Sequence, residues 1–532
     1  MGENNSLNIS NIEMESVPLN EHYRPLTFSG NGEITGPLVF AGYGMQAPKT
    51  DSLGEYDSFV HLPVEGKWVM VFRYMPENVT PEWRQQRALQ SKLRVKAMRV
   101  RDMGGLGLLI VSGPNSNVKQ QVVPMSGDSA LGKISIPVIS ISDEVAQQLM
   151  KSAGQDLKYW QNQLDTGDMQ IGFEFPDVQI TANVDVRQIR KKGRNVVGRL
   201  QIGNEPSEQA VVVGAHIDHL GNGSSGSLAK EEEQGQTHYG ADDNASGVAA
   251  MLEVAEFIAN QKRSGKLSVG RDLICAGWSG EELGLHGSNH FVDALMEATG
   301  KQVETEGGDT RPSIQHDIAA YLNMDMVGRF DGKLVMQGLG SSDWWSTEIE
   351  KRNLAVGLTL QTQMDTNLPT DASEFYRVGV PILAAFTGSH EDYHTPRDTP
   401  EKLNYDKAAD IAKLMGLMTR SLIVAESAPA YKVHSGPQSS QRMAMRVSLG
   451  TSPDYTAEVV GVKIKAIRTD SPSHKAGIKP QDVIVELAGS KIENVYDYTD
   501  AIGALKVNET VKVVVLRKGE RIELEITPES RE

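Results

Sequence analysis

The chain has 532 residues, a net charge of −16 from 53 basic and 69 acidic residues, and a single cysteine, Cys275. That length far exceeds the roughly 100–200 residues of one domain, and the acidic balance argues against a phosphate-binding surface and so against nucleic acid as a partner. A lone cysteine can form neither an intrachain disulfide nor a thiolate zinc cluster.

No apolar run approaches the ~18 residues that read as a membrane span. Met1-Gly2-Glu3-Asn4-Asn5-Ser6 lacks the basic and apolar regions of a signal peptide. So polar a start equally fits the mature form of an exported protein, and a secreted or periplasmic chain with any signal peptide absent is the expectation.

From about Pro25 to Trp160 short strands alternate with helical stretches. Gly66 to Arg73, Leu106 to Val111 and Ile136 to Ile141 read as strands, and Lys92 to Met103 as a basic helix stopped by Gly104-Gly105. No group of residues here has the makings of a catalytic site. From about Val178 to Ala428 the pattern is a doubly wound α/β domain with a mostly parallel sheet. Val211 to Ala215, Leu273 to Trp278, Ala319 to Met324 and Val380 to Phe386 are its strands. Ser246 to Gln261 is a helix with Val248, Met251, Leu252, Ala255 and Ile258 at helical spacing. Cys275, inside a strand, reads as a small buried apolar residue. Pro429 to Gln441 is polar and punctuated by Pro429, Gly436 and Pro437, which marks a linker. The rest is a small domain of short strands, a Ser473 to Ala476 turn closed by Gly477, and one helix from about Tyr496 to Leu505. The expected divisions are 1–175, 176–428, a linker at 429–442, and 443–532.

The chemistry concentrates in the central domain. His216-x-Asp218, Asp242-Asp243-Asn244, Glu281-Glu282, Asp325 and His394 mostly sit just past a strand, and ligands of open α/β sheets gather at the carboxyl ends of strands. Two imidazoles and several carboxylates meeting there point to two bound metals. A two-metal hydrolytic site needs such ligands, a bridging carboxylate, a water and an unligated base. By spacing alone either Asp242 or Asp243 can bridge. Glu281 and Glu282 are adjacent and cannot point the same way, so one can bind metal while its neighbour faces the water. Asp218 can fix the His216 ring through its second nitrogen.

Gly214-Ala215-His216-Ile217-Asp218-His219-Leu220-Gly221, Gly240-Ala241-Asp242-Asp243-Asn244-Ala245-Ser246-Gly247, Trp278-Ser279-Gly280-Glu281-Glu282-Leu283-Gly284, Asn323-Met324-Asp325-Met326 and Tyr393-His394-Thr395 resemble the co-catalytic zinc aminopeptidases of the family that also contains glutamate carboxypeptidase. The resemblance covers the whole central domain. It implies that His216 and Asp325 hold one zinc, Glu282 and His394 the other, and that Asp243 bridges them. It also implies Glu281 as general base, Asp218 as the support of His216, and Tyr393 as a hydrogen-bond donor to the tetrahedral intermediate. Manganese or cobalt also suits such ligands. One departure is Ala372 in Thr370-Asp371-Ala372-Ser373-Glu374-Phe375, where the family often has His.

Phe40-Ala41-Gly42-Tyr43-Gly44, Met103-Gly104-Gly105-Leu106-Gly107 and Ile136-Pro137-Val138-Ile139 resemble a protease-associated domain. Gly461-Val462-Lys463-Ile464, Ser471 to Ile478 and Gln481-Asp482-Val483-Ile484 resemble the PDZ domains of bacterial proteases. A PDZ domain implies capture of an extended C-terminal peptide as an added strand; packing on the catalytic domain is the alternative. The expectation is an exopeptidase that removes N-terminal residues from peptides. The alternatives are a carboxypeptidase of the same family, which needs a basic cluster drawn from residues such as Arg311, Arg329 or Arg377, and a non-catalytic binding relative.

Other candidates read as ordinary. His219, His238, His286 and His390 lack support as ligands and read as surface or supporting residues. His390-Glu391-Asp392-Tyr393-His394 matches the H-E-x-x-H zinc pattern, but Gly388 before it and Pro396 after it argue for a loop, and the pattern needs a helix. Lys230-Glu231-Glu232-Glu233 reads as a solvated mobile loop.

Overall fold

The computed structural model describes residues 1–532 except 15, 51, 119, 126–131, 188, 190, 305–309, 435–446, 455, 456, 458, 469, 531 and 532. In the N-terminal region seven strands form one sheet: Ser6–Ile9 (β1), Tyr23–Pro25 (β2), Gly32–Phe40 (β3), Trp68–Phe72 (β4), Gly107–Val111 (β5), Val138–Ile141 (β6) and Phe173–Val184 (β7). Their order is β1-β7-β3-β4-β5-β6-β2, and β3 to β6 are parallel. β4, β5 and β6 are wholly buried, as parallel strands must be when both faces are covered. The basic helix is Leu93–Asp102 (α1), and Gly104 follows it at φ 76°, where a side chain would be strained.

The boundary expected at 175 falls inside β7. Val178, Ile180, Ala182 and Val184 are all buried, and this period-2 stripe keeps the strand paired with β3 and β1 to its end. The N-terminal sheet therefore runs to Val184, and the strand pattern that begins at Val178 belongs to it.

The central domain has a second seven-stranded sheet made of Val196–Leu200 (β8), Ala210–His216 (β9), Asp272–Trp278 (β10), Ile318–Met324 (β11), Leu334–Gln337 (β12), Leu360–Thr362 (β13) and Ile382–Phe386 (β14). The order is β8-β10-β9-β11-β14-β12-β13. β10, β9, β11 and β14 form a parallel centre, while β8 and β12 run antiparallel to their inner neighbours. One face packs on helices Gly247–Arg263 (α2) and Tyr405–Val424 (α5) through Met251, Val254, Ile258, Met415 and Met418. The other packs on His286–Thr299 (α3) and Ala372–Arg377 (α4) through Trp278, Val292, Tyr321 and Phe375. The buried stripe of α2 is Gly247, Ala250, Met251, Val254 and Ile258. Leu252, expected on it, is 60 % exposed, because the true stripe follows 247, 250, 251, 254, 258, the i, i+3, i+4, i+7 pattern.

Residues 429–434 form no helix or strand. They are nonetheless pinned within the central domain by Lys432 N donating to Ser341 O and His434 N to the Tyr376 hydroxyl. The rest of the expected linker, 435–442, lies outside the described residues. The C-terminal domain has antiparallel strands at Val462–Ile467, Val483–Leu487, Val511–Arg517 and Glu520–Ile526 around Ile464, Ile484, Val513 and Val515. The expected turn is the short helix Pro472–Lys475, and the expected helix is Val495–Ala504, whose N-cap Asn494 accepts from the amides of Tyr496 and Asp497. Among the described residues no helix is long and apolar enough to cross a membrane.

Candidate metal centre and catalytic site

The central sheet delivers its polar residues to one edge. His216 is the last residue of β9, Asp325 follows the last residue of β11, and Glu281 and Glu282 lie in the loop between β10 and α3. His394 sits in a turn after β14, at φ 57°. Asp243 belongs to the turn that leads into α2, and small residues allow its close approach. A Cβ on Gly247 would lie 2.3 Å from both Met324 O and Asn244 Oδ1.

The carboxylate of Asp243 faces two clusters, one with each oxygen. Oδ1 lies 3.1 Å from His216 Nε2, which is itself 3.4 Å from Asp325 Oδ1. Oδ2 lies 3.3 Å from His394 Nε2, which is 3.1 Å from Glu282 Oε2. His219 Nδ1 joins the second cluster, 2.8 Å from Glu282 Oε1 and 3.8 Å from Asp243 Oδ2. His216, Asp243 and Asp325, and separately His219, Asp243 and Glu282, are close enough to share a cation. Both clusters are built of imidazole nitrogens and carboxylate oxygens, and His394 Nε2 is buried without a hydrogen bond of proper geometry. This donor set fits zinc or a similar divalent ion.

The electrostatics describe a site short of positive charge. Burial pushes Glu281 up to about 9, with Asp325 adding to the shift. Burial also raises Asp325. It works to lower His394, but Asp243 and Glu282 outweigh it and bring the imidazole up to about 10. Burial opposes the charge on Asp243 as well, yet the nearness of His216 and His394 holds that carboxylate far below its usual range. The phenol of Tyr393, stacked on the His394 ring with centroids 3.8 Å apart, is raised by burial and then by the surrounding carboxylates. It stays protonated.

Asp218 is placed differently from its expected role. His216 Nδ1 bonds to the main-chain oxygen of Asp218 at 3.0 Å, while the Asp218 carboxylate is 3.9 Å away. That carboxylate instead accepts from the amides of Glu281 and Glu282, at 3.1 and 3.4 Å. Two residues after its histidine, Asp218 reaches the ring more easily with its carbonyl, which frees the side chain to hold the glutamate turn. Asp242 is turned away from both clusters: Oδ1 accepts from Gly328 N and Ser246 Oγ, and Oδ2 faces His390 Nε2 at 3.3 Å. His390 and His394 lie in a turn and face different groups, as expected of a non-helical H-E-x-x-H string.

The loop holding Lys230 to Glu233 is not free. His394 Nδ1 bonds to Gly226 O at 2.9 Å, Leu228 N donates to His394 O at 2.9 Å, and Arg397 pairs with Glu233. A glycine carbonyl thus fixes the tautomer of a candidate ligand, which is why this stretch is docked. His219, which reads from the sequence as a surface or supporting residue, lies against Glu282, and two further residues escape the sequence reading. Asp398 Oδ2 accepts from the amides of Asp242 and Asp243 at 2.9 and 3.1 Å. Asp371, buried beside Glu281, has its carboxyl pushed up to about 7 by burial. Asp371 stands next to the departure at Ala372, which was the available signal; Asp398 carried none.

Residues 195–419 match the model of peptidase family M28, and residues 438–527 that of the PDZ domain. An aminopeptidase of Pseudomonas aeruginosa is 26% identical over 307 residues, covering 52% of this chain and 50% of the relative. A probable lipoprotein aminopeptidase of Mycobacterium tuberculosis is 26% identical over 404 residues, covering 71% of this chain and 63% of the relative. Among solved structures, an aminopeptidase from Aneurinibacillus sp. strain AM-1 is 17% identical, covers 81% of this chain and 85% of that one, and has a TM-score of 0.42. The chain spans about half to just under two thirds of the length of these curated relatives. Its central domain is thus similar to peptidase family M28, and a match to the PDZ domain follows it in the chain.

Proposed function

We propose that this protein is a two-zinc aminopeptidase that removes N-terminal residues from peptides. The observation that carries the proposal is the divided carboxylate of Asp243, with one oxygen at each of two imidazole and carboxylate clusters. His216 and Asp325 would hold one ion, Glu282 and His394 the other, and Asp243 would bridge. When bound, such ions polarise a substrate carbonyl and bring the pKa of water towards 7. Bound cations would offset the neighbouring carboxylates that help to raise Glu281, leaving it ionised to take the proton of the attacking water and return it to the leaving amine. Tyr393, which keeps its proton, donates a hydrogen bond to the oxygen of the tetrahedral intermediate. Asp218 sets the turn that aims Glu281 and Glu282 by holding both amides.

The carboxypeptidase alternative needs a free basic group. Arg329 is engaged by Asp392, Arg377 by Asp293 and Glu374, and Arg311 is stacked on the Tyr431 ring at 3.5 Å. Arg329 Nη1 and Arg311 Nε and Nη1 are nonetheless buried without a hydrogen-bond partner, so peptides with a blocked carboxyl end decide between the two readings. We read the N-terminal domain as protease-associated, the PDZ domain as a site for C-terminal peptides, and the chain as exported; a relative named as a lipoprotein aminopeptidase supports export.

The test is a panel of peptides with free or acetylated N-termini, each also prepared with a blocked carboxyl end, incubated with zinc-loaded protein with and without chelator. The proposal expects chelator-sensitive release of the first residue from free-N-terminus peptides, whatever the state of the carboxyl end. No cleavage of free-N-terminus peptides would overturn it.

A further inference from the structure

His219 has no role in the scheme above, yet it is only 9% exposed and faces the second cluster. Its ring is wedged: a Cβ on Gly240, at φ 60°, would lie 2.7 Å from His219 Cγ. It also packs edge-on against His394, with ring centroids 5.7 Å apart. Nδ1 lies 2.8 Å from Glu282 Oε1, within hydrogen-bond range, whereas Nε2 is buried without a partner. The proton therefore belongs on Nδ1, which donates to the carboxylate. Glu282 then has one oxygen committed to His219 and the other, Oε2, facing His394.

We infer that His219 is a positioning residue that keeps Glu282 a one-oxygen ligand of the second metal, with Oε1 held away from it. The inference rests on the two-metal reading. The segment from His216 to His219 then clamps the glutamate turn at two levels. Asp218 holds the amides of Glu281 and Glu282, and His219 holds the carboxylate of Glu282. With Oε1 bonded to His219, Glu282 would offer the second ion one oxygen, as suits a site that must also admit substrate.

The experiment is a titration of the metal-free full-length protein with cobalt, followed by visible absorption and calorimetry, for wild type, His219→Ala and His219→Asn. The Asn amide nitrogen, bonded to Cγ like the imidazole Nδ1, can make the same donation to Oε1. Binding of the second ion should weaken by about 10–100-fold in His219→Ala, as for other groups that orient ligands, and return in His219→Asn. The affinity of the first site, built on His216 and Asp325, should not change and reports that the fold is intact. Second-ion binding as tight in His219→Ala as in wild type overturns the inference. So does loss in both variants, which would make His219 itself a ligand. A wild type that binds fewer than two cobalt ions would defeat the two-metal reading and this inference with it.

Discussion

The N-terminal and central domains are both seven-stranded sheets with a buried parallel centre, yet they treat charge at the strand ends in opposite ways. At the end of β4, the carbonyl oxygens of Phe72, Arg73 and Tyr74 accept from Lys96 Nζ at 2.8, 3.1 and 2.6 Å. Lys96 is fully buried on α1, and burial holds its amine well below the usual range, so this domain satisfies its own strand-end carbonyls with a side-chain donor. At β9 and β11 the central sheet gathers Asp243, Glu282 and Asp325 around His216 and His394, with no Lys or Arg paired to any of these carboxylates among the described residues. One scaffold closes its polar groups with a side chain. The other leaves a set of ligands that calls for ions from solution.

The sharpest break of this contrast is Glu281→Gln. Turnover should fall by about 10²–10⁴-fold, the usual contribution of a general base, with two metals per chain retained in elemental analysis. Loss of a metal instead would make Glu281 a ligand. On the other side, Lys96→Met leaves strand-end carbonyls without their donor and should cost on the order of 1–3 kcal/mol for each carbonyl left unsatisfied in denaturant unfolding, without changing metal content. Retained stability would show that Lys96 is not what satisfies these carbonyls.

Asp371 sharpens the central domain's shortage of positive charge. With its carboxyl raised from 3.8 to about 7 in the folded state, the metal-free protein should lose stability as pH rises from about 4 to 7, on the order of 2–4 kcal/mol in all. Asp371→Asn removes that penalty, so its Tm advantage in chelator should grow across this range and level off above it. An advantage independent of pH would refute the assignment. The smallest effect concerns Cys275, whose thiol burial raises to about 11. Alkylation of the folded protein at pH 8 should be slow and accelerate with pH, whereas the urea-unfolded chain should react at once.

Strand positions and the polar residues after them were legible in the sequence, because wholly apolar runs such as Val211 to Ala215 have no other stable place than a covered sheet. Spacing could not choose between Asp242 and Asp243. The choice rests on where each side chain turns, and Asp242 turns to Gly328 and Ser246. It also could not separate the carbonyl of Asp218 from its carboxylate, since both lie within reach of His216. Leu252 misled because two overlapping helical stripes exist in α2 and only one faces the sheet. Gly226 and His219 were opaque for a common reason: their partners, His394 and Glu282, are brought near by tertiary folding alone.

The central claim is that Asp243 joins two ions. Anomalous diffraction at the zinc edge from zinc-loaded crystals tests it most directly. The account predicts two peaks, one beside each oxygen of Asp243, with His216 and Asp325 at the first and His394 and Glu282 at the second. A single peak, or two that do not share Asp243, would contradict it.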